Sequence, residues 1–143
     1  MSRKFALILI VMAAAIPIVA QQAAKPTVKK VPATYTSPAS GQEMYVSYCA
    51  SCHGKDGKGQ GPAAPAMKTV PTDLTMLAKK NKGTFPSEHF AAILTGKTTV
   101  TAHGSQDMPV WGPIFWKLSQ SHPAEVQQRI YNLHKYVESL QQK

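Results

Sequence analysis

Residues 48–62 read Y-C-A-S-C-H-G-K-D-G-K-G-Q-G-P and hold the only two cysteines of a 143-residue chain. Two thiols with two residues between them suit three chemistries: a redox disulfide, half of a zinc site, or the anchor of a covalent cofactor. A thioredoxin-like pair needs a β-α-β scaffold, and strand signals are nearly absent here. Only T-T-V-T at 98–101 is β-branched, and it is short. A structural zinc needs four ligands, usually as two pairs, and the chain has no second C-x-x-C and no paired histidines at zinc spacing. Both readings also leave His53 without a role.

Cys49-Ala50-Ser51-Cys52-His53 is instead the haem-attachment pattern. At the end of a helix, residues three apart share a face. Cys49 and Cys52 can then each form a thioether to one vinyl group of the same porphyrin, and His53 follows with its Nε2 under the iron. The pattern predicts one covalently attached haem c per chain.

Helices must position these groups. Ser40-Gly41-Gln42-Glu43 fits a capping box, and the helix it opens carries Met44, Tyr45, Tyr48 and Cys49 on one face. A last helix should start near Ser121 to Pro123, with an apolar stripe of Val126, Ile130, Leu133, Val137 and Leu140. Tyr131 and Tyr136 are expected to widen that stripe by core packing. Shorter helices are expected after Thr72 or Asp73, after Ser87, and after Pro109 with Trp111, Ile114, Phe115 and Leu118. Glycine- and proline-rich loops join them, notably residues 54–71, and loops of that length are usually functional. The fold class expected is all-α: four to five short helices and long loops around one haem.

With these features the chain resembles the class I c-type cytochromes over nearly all of residues 40–143. The resemblance rests on G-Q-E-M-Y-V-S-Y-C-A-S-C-H-G, then G-Q-G-P at 59–62, then D-M-P-V-W-G at 107–112, and on the closing R-I-Y-N-L-H-K-Y-V-E-S-L. It implies the cytochrome c fold, with the first and last helices crossing near Gly41 and the Tyr131 region. It further implies the Pro62 carbonyl as acceptor for the His53 ring.

A second axial ligand decides whether such an iron carries electrons or does chemistry. The candidates are Met44, Met67, Met76, Met108, His89, His103, His122 and His134. Met44 reads as core, Met67 and Met76 as gap-fillers, and His122 and His134 as residues of the last helix. Met108 lies in A-H-G-S-Q-D-M-P-V-W-G-P, where Pro109 disfavours helix at Met108 itself. It also matches the M-P ligand motif of the resembled family, with His103 as runner-up. Thioether sulfur favours Fe(II), so His53 and Met108 together predict a raised potential and single-electron exchange. Trp111 and Trp116 are expected either to line the pocket, with the indole N–H on a propionate, or to pack in the core.

The rest of the chain sets the context. Residues 1–22 combine two cations, an apolar run and small residues, as export signals do. The apolar run of 16 residues from Phe5 to Ala20 contains Pro17 and falls short of the roughly 20 needed to span a bilayer. Cleavage after Ala20 is expected, with Ala15 and Ala24 as competitors and an uncleaved anchor as the alternative. Residues 21–39 read as a Pro/Lys-rich tether and residues 40–143 as the cytochrome domain. Without residues 1–20 the chain has 14 bases against 7 acids, which favours redox partners with an acidic surface or an anionic membrane. Export and the absence of interleaved aromatics argue against nucleic acid. The expected function is a periplasmic or extracytoplasmic one-electron carrier rather than an enzyme. The alternatives are a haem c subunit of a membrane-associated dehydrogenase or oxidase, and a ligand-binding or peroxidase-like haem protein.

Overall fold

The computed structural model describes Thr27, Lys29, residues 31–98 and residues 108–142. The expected export segment, residues 21–26, 28 and 30 of the tether, the T-T-V-T run beyond Thr98, and His103 lie outside the described residues. Within them there are six α-helices and no strand: α1 (Gly41–Tyr48), α2 (Ala50–His53), α3 (Leu77–Lys80), α4 (Ser87–Thr95), α5 (Trp111–Leu118) and α6 (Pro123–Ser139). Single 3₁₀ turns at Ala64–Ala66 and Leu74–Met76 punctuate the long loop. No helix of the described residues is long and apolar enough to cross a membrane.

The α1 start follows its capping pattern in one half. Ser40 Oγ accepts from the Glu43 amide at 3.1 Å, supplying a partner for an orphan donor. The reciprocal half differs: the Ser40 amide already donates to the Ser37 carbonyl at 3.2 Å, so the Glu43 carboxylate takes the Ser37 amide at 3.3 Å. Met44, Tyr45 and Tyr48 are buried on the inner face of α1. They meet the α6 stripe, where Val126, Ile130, Leu133 and Val137 are all buried.

One expectation about α6 is corrected. Tyr131 is 60% exposed, because it sits one 100° step past Ile130 and is turned off the buried face. Tyr136 does join the core, with its ring 5.2 Å from that of Tyr45. Arg129, not an apolar residue, completes the inner face and is fully buried.

Gly41 sits where α1 crosses α6. A Cβ placed there would run into the Asn132 carbonyl and the Tyr136 Cβ. Gly41→Ala must therefore push the two helices apart, at a cost of about 1–3 kcal/mol. Denaturant unfolding should show a lower midpoint at unchanged slope; a midpoint equal to the parent's would contradict the close crossing.

Helices α4 and α5 also pack on α6, and Leu94, 2% exposed, and Phe115, fully buried, join the core. The end of the expected tether also belongs to this packed unit. Thr36 is buried, and Asn132 Nδ2 on α6 donates to the Pro38 carbonyl at 2.8 Å.

Candidate functional site

The turn that follows α1 carries the cysteines. Cys49 closes α1, and its carbonyl accepts from the Cys52 amide at 3.1 Å and the His53 amide at 2.9 Å. Cys49, Cys52 and His53 are thereby wound onto one helical turn, as their spacing predicts. Tyr45 reinforces the turn from below, its hydroxyl donating to the Gly54 carbonyl at 2.7 Å.

The glycine-rich loop then folds back against the end of α2. The Gly59 amide donates to the His53 carbonyl (2.7 Å), the Gly61 amide to Cys52 (3.0 Å) and the Ala63 amide to Ser51 (2.8 Å). These are the carbonyls that a helix end leaves without partners. Gly59 can do this because its φ is +81° and a Cβ there would collide with the Pro71 carbonyl.

This wrapping corrects the expectation for Pro62. With the loop amides turned in to α2, Pro62 is left exposed. Ten residues further on, the Thr72 carbonyl lies 2.9 Å from His53 Nδ1. A carbonyl only accepts, so Nδ1 carries the proton and donates. Nε2 is then the ring nitrogen with the lone pair, the tautomer an axial ligand requires.

Cys49, Cys52 and His53 line a partly open cleft. Met108 and Pro109 enter from the segment before α5, and Met67, Thr69 and Pro71 from the long loop. Tyr48 and Trp111 form an aromatic wall, their ring centroids 5.0 Å apart. Trp111 is 6% exposed, whereas Trp116 is 46% exposed and does not line the cleft. Sequence reading left the two tryptophans undivided, and the structure divides them.

Among the described candidates for a second axial ligand, only Met108 and Met67 line the cleft. Met44 is core, fully buried. His122 Nδ1 donates to the Ser119 carbonyl at 3.0 Å, and His134 Nε2 lies 3.0 Å from Ser87 Oγ, both outside the cleft. Met67 was expected to be a mere gap-filler, yet it shares the cleft with Met108.

The donor set suits a large covalent cofactor better than a bare ion or a dithiol switch. Burial pushes the Cys49 thiol up to about 12, with Cys52 adding to it. Such a group is protonated at neutral pH and is a poor redox nucleophile. Among the described residues no three His, Cys, Asp or Glu side chains gather as a metal-holding group. Two thiols on one helical turn, a fixed imidazole, thioethers, and an aromatic wall fit an iron porphyrin.

Sequence reading missed Thr72 and Arg129. Thr72 acts through its backbone carbonyl, which no residue type signals. Arg129 was detectable, since an arginine three residues after Val126 and four before Leu133 falls on the buried stripe.

Residues 36–120, more than half of the chain, match the family model described as cytochrome C oxidase, cbb3-type, subunit III. Comparison with curated proteins and with solved structures returned no match.

Proposed function

Because the chain belongs to the family of cytochrome c oxidase, cbb3-type, subunit III, and so is a c-type cytochrome domain with covalent haem c, we propose that it is a one-electron carrier. The observation that supports this reading is the convergence of Cys49, Cys52, His53 and Met108 on one cleft. Cys49 and Cys52 tether the porphyrin through thioethers. His53, with its Nδ1 on the Thr72 carbonyl, and Met108 would hold the iron. Haem c held in this way supplies one reversible electron at a raised potential. Pro109 keeps Met108 out of the helix that follows, and Trp111 with Tyr48 walls one side of the cleft. With His53 and Met108 both holding the iron there would be no place for a bond-making substrate, which supports electron transfer as the proposed role.

The partners proposed are redox proteins with an acidic face in an extracytoplasmic compartment. Lys79 and Lys80 end α3 and Lys82 follows it, all three exposed, and among the described residues none of them forms an ion pair. Charges of this kind speed encounter with an opposite surface and are screened over about 8–10 Å at physiological salt. A redox titration should follow a single one-electron step. Electron transfer to an acidic acceptor protein should slow as ionic strength rises from about 10 to 200 mM. A rate indifferent to salt would remove the acidic partner from this reading.

The family description favours a second reading, in which the same domain works as a haem c subunit docked on an oxidase. Copurification with an oxidase from native membranes is its test, and recovery of the protein alone in the soluble fraction would dismiss it.

A further inference from the structure

Arg129 is fully buried, and nothing in the proposed haem chemistry uses it. A charge that far from water is costly unless each of its donors is engaged. Nε donates to Ser119 Oγ at 3.0 Å, Nη2 to the Glu125 carboxylate at 2.8 Å, and Nη1 to the Thr36 carbonyl at 2.9 Å and its hydroxyl at 3.3 Å. The last contact begins a chain. Thr36 Oγ1 lies 2.8 Å from the Tyr48 hydroxyl, which in turn lies 2.7 Å from the Thr34 carbonyl.

The proton directions follow from which groups can donate. A carbonyl only accepts, so the Tyr48 hydroxyl spends its one proton on Thr34. Thr36 must then donate to Tyr48, and Arg129 to Thr36. Every hydrogen bond in the chain points the same way, from the buried guanidinium to the backbone, and bonds aligned like this strengthen one another. Its middle member is a wall of the cleft: Tyr48 lines it and lies against Trp111. A tyrosine held by packing alone could tilt, whereas one held at its hydroxyl by two partners cannot tilt without leaving a buried polar group unpaired.

We infer that Arg129 and Thr36 are positioning residues for the haem. Acting through the Tyr48 hydroxyl, they hold the Tyr48–Trp111 wall at one angle and keep that side of the cleft closed to water. The inference rests on the reading that haem occupies this cleft. Solvent access and burial are among the levers a protein has on haem potential, so releasing the wall stabilises the more highly charged oxidised state.

The test uses the mature holoprotein, with haem content checked first by the pyridine haemochrome. Thr36→Val keeps the side-chain shape and removes the hydroxyl; Tyr48→Phe keeps the ring and removes its anchor. At the parent's midpoint potential, each should lower the ratio of reduced to oxidised protein by at least about threefold, which is roughly 30 mV for one electron. Thr36→Ser should restore the parent value. Asn132→Ala loosens the same segment at Pro38 without touching the chain, so it should lower thermal stability and leave the midpoint unchanged. Midpoints equal to the parent's in both Thr36→Val and Tyr48→Phe would overturn the inference. So would an Asn132→Ala shift as large as theirs, which would mark general loosening. A parent protein without haem would instead overturn the cleft assignment, a result separable from either.

Discussion

Replacing both Cys49 and Cys52 with alanine should give a protein whose haem is fully extracted by acidified organic solvent, where the parent keeps all of it on the chain. Each single substitution should leave one attachment and retain haem. The expectation follows from placement: the two side chains sit on one turn with the imidazole of His53, and all three line the cleft. The double variant separates attachment from ligation. His53 and Met108 remain, so haem added back should bind reversibly, and haem that survives extraction would contradict the thioether assignment.

The largest stability effect is expected at Arg129. Arg129→Met keeps much of the side chain's apolar stem and removes the guanidinium. The Thr36 carbonyl and the Ser119 hydroxyl then lose their donor inside the protein, at about 1–3 kcal/mol each. A loss of roughly 2–5 kcal/mol is therefore expected, a large share of the 5–15 kcal/mol typical of a whole domain. Thermal unfolding read by far-UV circular dichroism measures it. The chain segment before α1 should become susceptible to proteolysis, because Arg129 also lies 4.9 Å from the Tyr35 ring centroid and clasps that segment from two sides. Glu125→Gln is the contrasting substitution. The Arg129 hydrogen bond holds the Glu125 carboxyl below its usual range, but that carboxyl reaches solvent, so the neutral amide should cost far less. Equal losses in the two variants would mean that the ion pair, rather than the buried hydrogen bonds, carries the effect.

Arg129 also shows where sequence reading stops. The helices at the two ends were legible because their signals are local: a capping serine three residues before a glutamate, and apolar residues at alternating steps of four and three. The attachment turn was legible for the same reason, since Cys49, Cys52 and His53 are neighbours in the chain. The missing parts are contacts between distant segments. Thr36 and Arg129 are 93 positions apart and meet through a backbone carbonyl, and nothing in either residue type names the other. His53 and Thr72 are 19 apart and also meet through a carbonyl. A motif resemblance pointed to Pro62 instead, and the hydrogen bonds of the Gly59, Gly61 and Ala63 amides explain why that residue ends up outside. Tyr131 was misplaced by a milder error, since an aromatic ring beside a stripe was taken as part of it when one helical step had already carried it to solvent. Met67 had no periodic signal at all, and only the path of the loop brings it to the cleft.

The account turns on the second axial ligand, because that residue separates an electron carrier from a ligand-binding haem protein. The absorption spectrum of the ferric protein tests it most directly. The account predicts a weak long-wavelength band from sulfur-to-iron charge transfer, present in the parent, retained in Met67→Leu and lost in Met108→Ala, with the reduced parent inert to carbon monoxide. A band that survives Met108→Ala, or carbon monoxide binding by the reduced parent, would contradict it.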